Sequence, residues 1–109
     1  MFANLLYIVA ALLILDFRAP DSERFPCLDM AVQALKTGGS APVVLNGANE
    51  VAVGAFLKGQ IPFGRIPGII REALNAIPVT PIRSIADVYE ADAASRRAAR
   101  RELGKRNEE

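Results

Sequence analysis

The sequence contains no histidine, no tryptophan and a single cysteine, Cys27, among its 109 residues. Without a second cysteine, no disulfide can form within the chain. A Ser-His-Asp triad is excluded because the imidazole that acts as its general base is missing. The usual structural zinc sites are excluded because they need several Cys or His ligands. These absences favour a packing or interaction module over an enzyme that works alone.

An excess of charge of one sign is also missing, since 13 Lys and Arg stand against 12 Asp and Glu. This balance argues against whole-molecule electrostatic binding to nucleic acid, and we expect no nucleic-acid partner. Hydrophobic residues make up 51% of the chain, which is enough for the core of one small domain.

Residues 1–15 form an apolar leader without a charged side chain. As a helix they would span only ~22 Å, less than the ~30 Å hydrocarbon core of a bilayer. They show neither the basic start nor an obvious cleavage site of a signal peptide. Four interpretations stay open: a membrane anchor, a marginal membrane span, an element buried against the domain, or a consequence of where the reading frame begins.

Helical periodicity dominates the rest of the chain. Residues 16–25 are polar, and Pro20 indicates a linker there. Apolar residues then recur at helical spacing. The helices are predicted over residues 26–37, from Ser40 to Gly59, from Pro67 to Ile77, and over residues 85–103. We therefore predict an all-α fold, a small four-helix bundle over residues 26–103, with a tail over 104–109 that frays.

Several residues are predicted to end, cap or pack these helices. Gly38 and Gly39 end the first helix in a left-handed conformation. Ser40 caps the second helix, and Ser84 forms a capping box with Asp87 at the start of the fourth. Gly47 and Gly54 lie inside the second helix, where we expect them to let a neighbouring helix approach closely.

The most polar stretch inside an apolar helix places Asn46, Asn49 and Glu50 on one helical face. A recognition or metal surface is one interpretation. We prefer a structural polar cluster that ties down backbone groups of adjoining loops, because buried polar groups need hydrogen-bond partners. One carboxylate and two amides also make a poor divalent-cation site.

Other reactive side chains have simpler explanations. Cys27 is expected to be a small buried thiol, since no His accompanies it. Asp87, Glu90 and Asp92 are interpreted as helix-capping or solvated acids. The tail carries six basic residues against Glu102, Glu108 and Glu109, and a solvated helix face is preferred over a phosphate or membrane site because no aromatic side chain lies among them. These six are Arg96, Arg97, Arg100, Arg101, Lys105 and Arg106.

Three segments together resemble the carboxy-terminal domain of the 1-deoxy-D-xylulose 5-phosphate reductoisomerase family. They are residues 16–21 (DFRAPD), 25–28 (FPCL) and 45–57 (LNGANEVAVGAFL). Phe63, Ile66 and residues 87–93 continue the resemblance in order, which covers roughly residues 15–103. At residues 46–50 the family usually has Asn-Ala-Ala-Asn-Glu, whereas this chain has Gly47 in place of the first alanine. Residues 1–15 are not expected to match the family.

The resemblance implies a role within a larger enzyme. Enzymes of this family convert 1-deoxy-D-xylulose 5-phosphate to 2-C-methyl-D-erythritol 4-phosphate in non-mevalonate isoprenoid biosynthesis. They use NADPH and Mg²⁺ or Mn²⁺, act as homodimers, and their catalytic domain is the expected partner of this helical domain. No catalytic, cofactor-binding or metal-binding residue is carried over to this chain. We expect it to be inactive alone and cytoplasmic, and contact of residues 1–15 with a membrane is the alternative.

Overall fold

The structure, a computed structural model, describes residues 27–107. Within that range the chain forms α1 (Cys27–Thr37), α2 (Ala41–Leu57), a short 3₁₀ turn (Phe63–Arg65), α3 (Ile66–Ala76) and α4 (Ile85–Asn107). No strand is present in this part of the chain, so the prediction of an all-α bundle is confirmed. The predictions for residues 1–15, for the linker 16–25 and for Pro26 lie outside the described residues.

Helix α2 lies at the centre of the bundle and contacts α1, α3 and α4. Most of its buried positions are alanine or glycine, which lets neighbouring helices approach closely. Larger side chains come from α3, and fully burying each of them contributes about 1.5–3 kcal/mol relative to exposure. The core consists of Val44, Ala48, Ala52 and Ala55 of α2, Ile66, Ile69, Ile70 and Ala73 of α3, Ala98 and Ala99 of α4, and Ile61.

The ends of α3 follow the proline signals closely. It begins at Ile66 with a proline in its first turn and ends at Ala76, after which Ile77 is extended. Prolines 78 and 81 keep the connection to α4 outside any helix, because they lack the backbone N–H that a helix interior needs.

Helix α4 is longer than predicted, since it continues to Asn107 instead of ending at residue 103. Contacts with the rest of the bundle hold its last turns. The Arg65 guanidinium donates to the Glu102 carbonyl over 3.2 Å, and Leu103 packs against the core. Tertiary packing of this kind overrides the weak helical preference of Gly104.

The start of α4 has the predicted capping residues with one change of partner. The Asp87 N–H donates to Ser84 Oγ over 3.2 Å, as in a capping box. The Asp87 carboxylate accepts from the N–H of Arg83, over 2.9 Å, where the standard motif uses the N–H of the cap residue itself.

The prediction that the Ser40 side chain caps α2 is wrong. Ser40 precedes α2 in a helical conformation, and its side chain makes no cap hydrogen bond. Its hydroxyl instead accepts from the Thr80 N–H over 2.9 Å, while its own N–H donates to the Thr80 carbonyl over 2.8 Å. Ser40 therefore ties the turn between α1 and α2 to the connection between α3 and α4.

The two glycines inside α2 behave differently from each other. A Cβ at Gly47 would lie 3.0 Å from Asp92 Oδ1 and 3.1 Å from Ser95 Oγ, so the close approach of α4 is confirmed there. A Cβ at Gly54 would meet nothing within 4 Å. The packing prediction for Gly54 is therefore wrong for the described part of the chain, where no neighbouring element comes within 4 Å of such a Cβ.

Candidate functional site

The predicted polar residues share one face of α2, and two of them, Asn46 and Glu50, are connected to α4 by hydrogen bonds, Asn46 by way of Glu50. Two residues of α4, Asp92 and Arg96, join them, and they lie one helical turn apart. We call the whole group the α2–α4 polar cluster; it consists of Asn46, Asn49, Glu50, Asp92 and Arg96. On both helices the cluster is close in sequence to residues of the buried core.

Arg96 links the two helices through both of its neighbouring carboxylates. Its Nη2 donates to Glu50 Oε2 over 2.9 Å, and its Nε donates to Asp92 Oδ2 over 2.9 Å. The side chains of Arg96 and Glu50 are only 25% and 20% exposed. Because both side chains are partly shielded from water, removing one partner of this pair costs more than breaking an exposed surface ion pair.

The surroundings of Arg96 raise its pKa above the usual value. The hydrogen bond to Asp92 is the largest cause, the negative charges of Asp92 and Glu50 act in the same direction, and burial partly opposes them. A raised pKa means that the stabilising contribution of Arg96 is complete at lower pH and is lost only when the pH rises through that value. Titration of Arg96 therefore leaves stability unchanged throughout the neutral range.

Asn46 and Glu50 contact each other as their spacing predicts. The Asn46 Nδ2 donates to Glu50 Oε2 over 3.2 Å, so this oxygen accepts from both Asn46 and Arg96. The partners of Glu50 are thus side chains of α2 and α4, whereas the sequence suggested backbone groups of adjoining loops.

Two carbonyl oxygens of the cluster have no hydrogen-bond partner. Within residues 27–107, Asn46 Oδ1 and Asn49 Oδ1 are both buried and unpaired. Asn49 is only 4% exposed as a residue. A buried acceptor without a donor costs about 1–3 kcal/mol, so two such groups on one helical face are an unusual feature of this small domain.

The sequence did not identify the contribution of α4 to the cluster. Asp92 and Arg96 were expected to be solvated, but both are partly buried and paired. Ser95 is fully buried, and its hydroxyl donates to the Val44 carbonyl in the facing helix. The helical spacing of Asp92, Ser95 and Arg96 was visible, but the partners of Ser95 and Arg96 on α2 lie 51 and 46 residues away in the sequence.

The chemistry of the cluster does not fit a divalent metal. Its two carboxylates are neutralised by a guanidinium, which occupies the place that a cation would need. No group of three or more His, Cys, Asp or Glu residues with metal-binding geometry exists between residues 27 and 107. The arrangement can hold helices together and accept hydrogen bonds.

The basic tail is only partly described, and the apolar leader lies outside the described residues. Arg97, Arg100, Arg101 and Lys105 are exposed on α4, as a solvated face requires. The side chains of Cys27 and Arg106 lie outside the described part. No helix in residues 27–107 is both long and apolar enough to cross a bilayer.

Known proteins share both the sequence and the fold. The family described as DXP reductoisomerase C-terminal domain matches residues 5–98, so the match begins inside the apolar leader. The chain is 57% identical over 82 residues to 1-deoxy-D-xylulose 5-phosphate reductoisomerase of Pseudomonas syringae pv. syringae, which covers 75% of this chain and 21% of that protein. Identity to the reductoisomerase of Nitrosospira multiformis is 55% over 85 residues, covering 78% and 22%.

A solved structure agrees with these sequence relatives. The structure of 1-deoxy-D-xylulose 5-phosphate reductoisomerase from Zymomonas mobilis, in complex with NADPH, matches with a TM-score of 0.72 and 40% identity. The match covers 79% of this chain and 23% of that one. The chain thus spans about a fifth of the length of the curated relatives. It belongs to the DXP reductoisomerase C-terminal domain family.

Proposed function

We propose that this chain acts as the carboxy-terminal support domain of a 1-deoxy-D-xylulose 5-phosphate reductoisomerase. In this role it packs against the portion of the enzyme that binds substrate, NADPH and the divalent metal, and it supplies none of those ligands itself. The whole enzyme would be a homodimer of the cytoplasm that serves isoprenoid biosynthesis. The remaining domains of that enzyme are the partner of this chain.

The family match over residues 5–98 is the observation that carries the proposal. The chemistry of the described residues agrees with it. Glu50, Asp92 and Arg96 are paired with one another, so these groups serve helix packing. The relatives are about five times as long as the matched segment, which leaves room in them for separate catalytic domains.

A chimeric enzyme tests the proposal directly. The segment of the Pseudomonas syringae enzyme that matches this chain is replaced by the corresponding segment of this chain, and NADPH consumption is followed with 1-deoxy-D-xylulose 5-phosphate and Mn²⁺. We expect the chimera to keep activity, and the same enzyme with that segment deleted to lose it. The 109-residue chain assayed alone is expected to be inactive. A chimera as inactive as the deletion, or turnover by the chain alone, would contradict the proposal.

The alternative role as a small membrane-associated protein depends entirely on residues 1–15. Co-sedimentation with liposomes, compared between the full chain and a variant without residues 1–15, distinguishes the two functions. We expect neither form to sediment with the vesicles. Binding that disappears with the deletion would favour the membrane role.

A further inference from the structure

We propose that two copies of this chain associate through α4, as an antiparallel pair of helices whose two-fold axis lies at Ala94. Asp87 and Glu90 in the first half of each helix then face two basic side chains, Arg97 and Arg101, in the second half of the other. This contact goes beyond the proposed function and does not depend on it.

The charges along one side of α4 are separated by sign. Six residues recur at intervals of three or four along the helix and therefore share one side of it. This row, which we call the α4 charged stripe, consists of Asp87, Glu90, Ala94, Arg97, Arg101 and Lys105. Both acids precede Ala94 and all three bases follow it. Asp87 and Ala94 are partly buried, and the other four residues of the stripe are exposed.

The acids and the bases lie at matching distances from Ala94. Asp87 lies seven residues before Ala94 and Arg101 seven residues after it, while Glu90 lies four residues before and Arg97 three after. At 1.5 Å per residue, the outer two are each about 10.5 Å from Ala94 and the inner two about 6 Å and 4.5 Å. A second copy related by a two-fold axis at Ala94 therefore brings each acid level with a base, as a self-complementary contact requires.

The helix macrodipole does not account for this order of charges. It favours acids in the first turn and bases in the last turn of a helix, and its effect falls off within those turns. Glu90 is the sixth residue of α4, and Arg97 is the thirteenth of 23. Both therefore lie outside the turns on which the macrodipole acts.

Ion pairs within the chain do not account for it either. Arg97, Arg101 and Lys105 are neighbours of like charge at intervals of four residues, which destabilises an isolated helix. Lys105 contacts Glu102 over 3.7 Å, but neither Arg97 nor Arg101 has a carboxylate partner among residues 27–107. An acidic surface on a second molecule would relieve this repulsion.

A groove beside the acidic half of the stripe can receive the basic side chains of the second copy. It has a volume of about 490 Å³ and lies between α4 and the connection from α3. Its apolar lining consists of Ile77, Pro78, Pro81, Ala91 and Ala94. Asp87, Glu90 and Arg83 also line it and together carry one net negative charge. An arginine from the second copy can lay its aliphatic stem on this lining and bring its guanidinium to the carboxylates.

A second copy is the occupant that the stripe favours, because one chain carries both halves of the contact. Any basic partner could bind the acidic half, whereas a copy of the chain covers the acidic and the basic halves at once. The small side chain of Ala94 at the axis lets the two helices approach closely. Because exposed ion pairs are individually weak, we expect a dimer that dissociates readily and is weakened by salt.

Charge reversal tests the proposal in the 109-residue chain. Sedimentation velocity at low ionic strength is expected to show a monomer–dimer equilibrium. Glu90→Arg and Arg97→Glu, each measured alone, should weaken dimerisation by about tenfold or more, because like charges then face each other twice. An equimolar mixture of the two variants should restore the dimer, because every facing pair in the mixed dimer again has opposite charges.

Two matched controls change the net charge by the same amounts outside the stripe. They are Arg71→Glu and Glu72→Arg, both at exposed positions of α3. We expect each to leave the equilibrium unchanged. Weakening of the dimer by these variants as large as that by the stripe variants would overturn the proposal, because net charge alone would then govern association.

Other occupants of the stripe would give different results. A chain that stays monomeric at every concentration overturns the proposal, and if Glu90→Arg also lowers the temperature at which the chimeric enzyme loses half its activity, the stripe belongs to the rest of the reductoisomerase. A dimer that survives both reversals and disappears on deletion of residues 1–15 overturns it as well, in favour of association through that segment.

A disulfide at the axis tests the antiparallel register. Cys27→Ser removes the single thiol of the chain, and Ala94→Cys then places one thiol of each copy at the two-fold axis. Ala93→Cys is the control, because it is more exposed than Ala94 but points away from the stripe. We expect mild oxidation to cross-link Ala94→Cys about tenfold faster, since a disulfide needs the Cα atoms within about 7 Å. Equal rates, or faster cross-linking of the more exposed thiol, would overturn the arrangement.

Discussion

Arg96 is the single residue that joins α2 and α4 most directly, because one guanidinium serves a carboxylate on each helix. Gly47 complements it from the facing side, since the absence of a Cβ leaves room for Asp92 and Ser95. The ion pairs of Arg96 and the close contact at Gly47 therefore lie side by side where α2 and α4 cross. Both depend on how closely the two helices approach each other.

Removing Arg96 tests the bridge. We expect Arg96→Met to lower the free energy of unfolding by about 1–3 kcal/mol, because Glu50 and Asp92 lose their shared donor while they stay partly buried. The adjacent Arg97 is exposed, and Arg97→Met should change stability by less than about 0.5 kcal/mol. Urea unfolding followed by circular dichroism measures both. Equal losses for the two variants would show that the bridge does not stabilise the domain.

The two glycines of α2 form a second matched pair. Gly54→Ala is expected to stabilise the chain by about 1 kcal/mol, because alanine favours the helix and nothing lies within 4 Å of the new Cβ. Gly47→Ala brings the same helical preference but places its Cβ 3.2 Å from Ser95 Cβ, so it should gain clearly less or lose stability. Thermal unfolding measures the stability of both variants. An equal gain in stability would mean that α4 moves away from the Cβ at position 47 at no cost.

At the scale of elements, what the sequence predicts depends on how local the signal is. Helix starts and ends follow from Pro67, Pro78 and the Gly38–Gly39 pair, because these residues act on their own backbone. The partners of Ser40 and Arg96 could not be predicted, since Thr80 and Glu50 lie 40 and 46 residues away. The sequence therefore identified the α2 residues of the candidate site, whereas its α4 residues were predicted to be solvated.

The connection between α3 and α4 is held to the turn after α1 by Ser40 and Thr80, and Gly39 makes this contact possible. Gly38 and Gly39 both have positive φ, so alanine at either position costs about 1 kcal/mol of backbone strain. A Cβ at Gly39 would also lie 2.7 Å from the Thr80 carbonyl oxygen, whereas at Gly38 it would meet nothing. We expect Gly39→Ala to be the more destabilising variant in urea unfolding, and equal effects would mean that the connection moves away at no cost.

At the scale of the whole molecule, residues 27–107 have two features that do not stabilise an isolated domain. They expose apolar side chains on the first turns of α4, and they bury acceptors that no described residue satisfies. The proposed function accounts for the exposed side chains, because the curated relatives are about five times as long as the matched segment and have further residues to cover them.

Substitution of Asn49 tests whether its unpaired carbonyl oxygen costs stability. In the free chain, Asn49→Leu removes a buried acceptor that has no donor and keeps the γ-branched shape, so we expect stability to stay the same or rise. In the chimeric enzyme we expect the same direction of change in the temperature of half-inactivation, because the Asn49 carbonyl oxygen is closed off by atoms of this chain. The control is Val51→Leu, on the same helix and also partly buried, which should act alike in both contexts because it alters no hydrogen bond. Loss of stability by Asn49→Leu in the free chain would show that the Asn49 side chain stabilises this chain, contrary to the expectation that its unpaired oxygen costs stability.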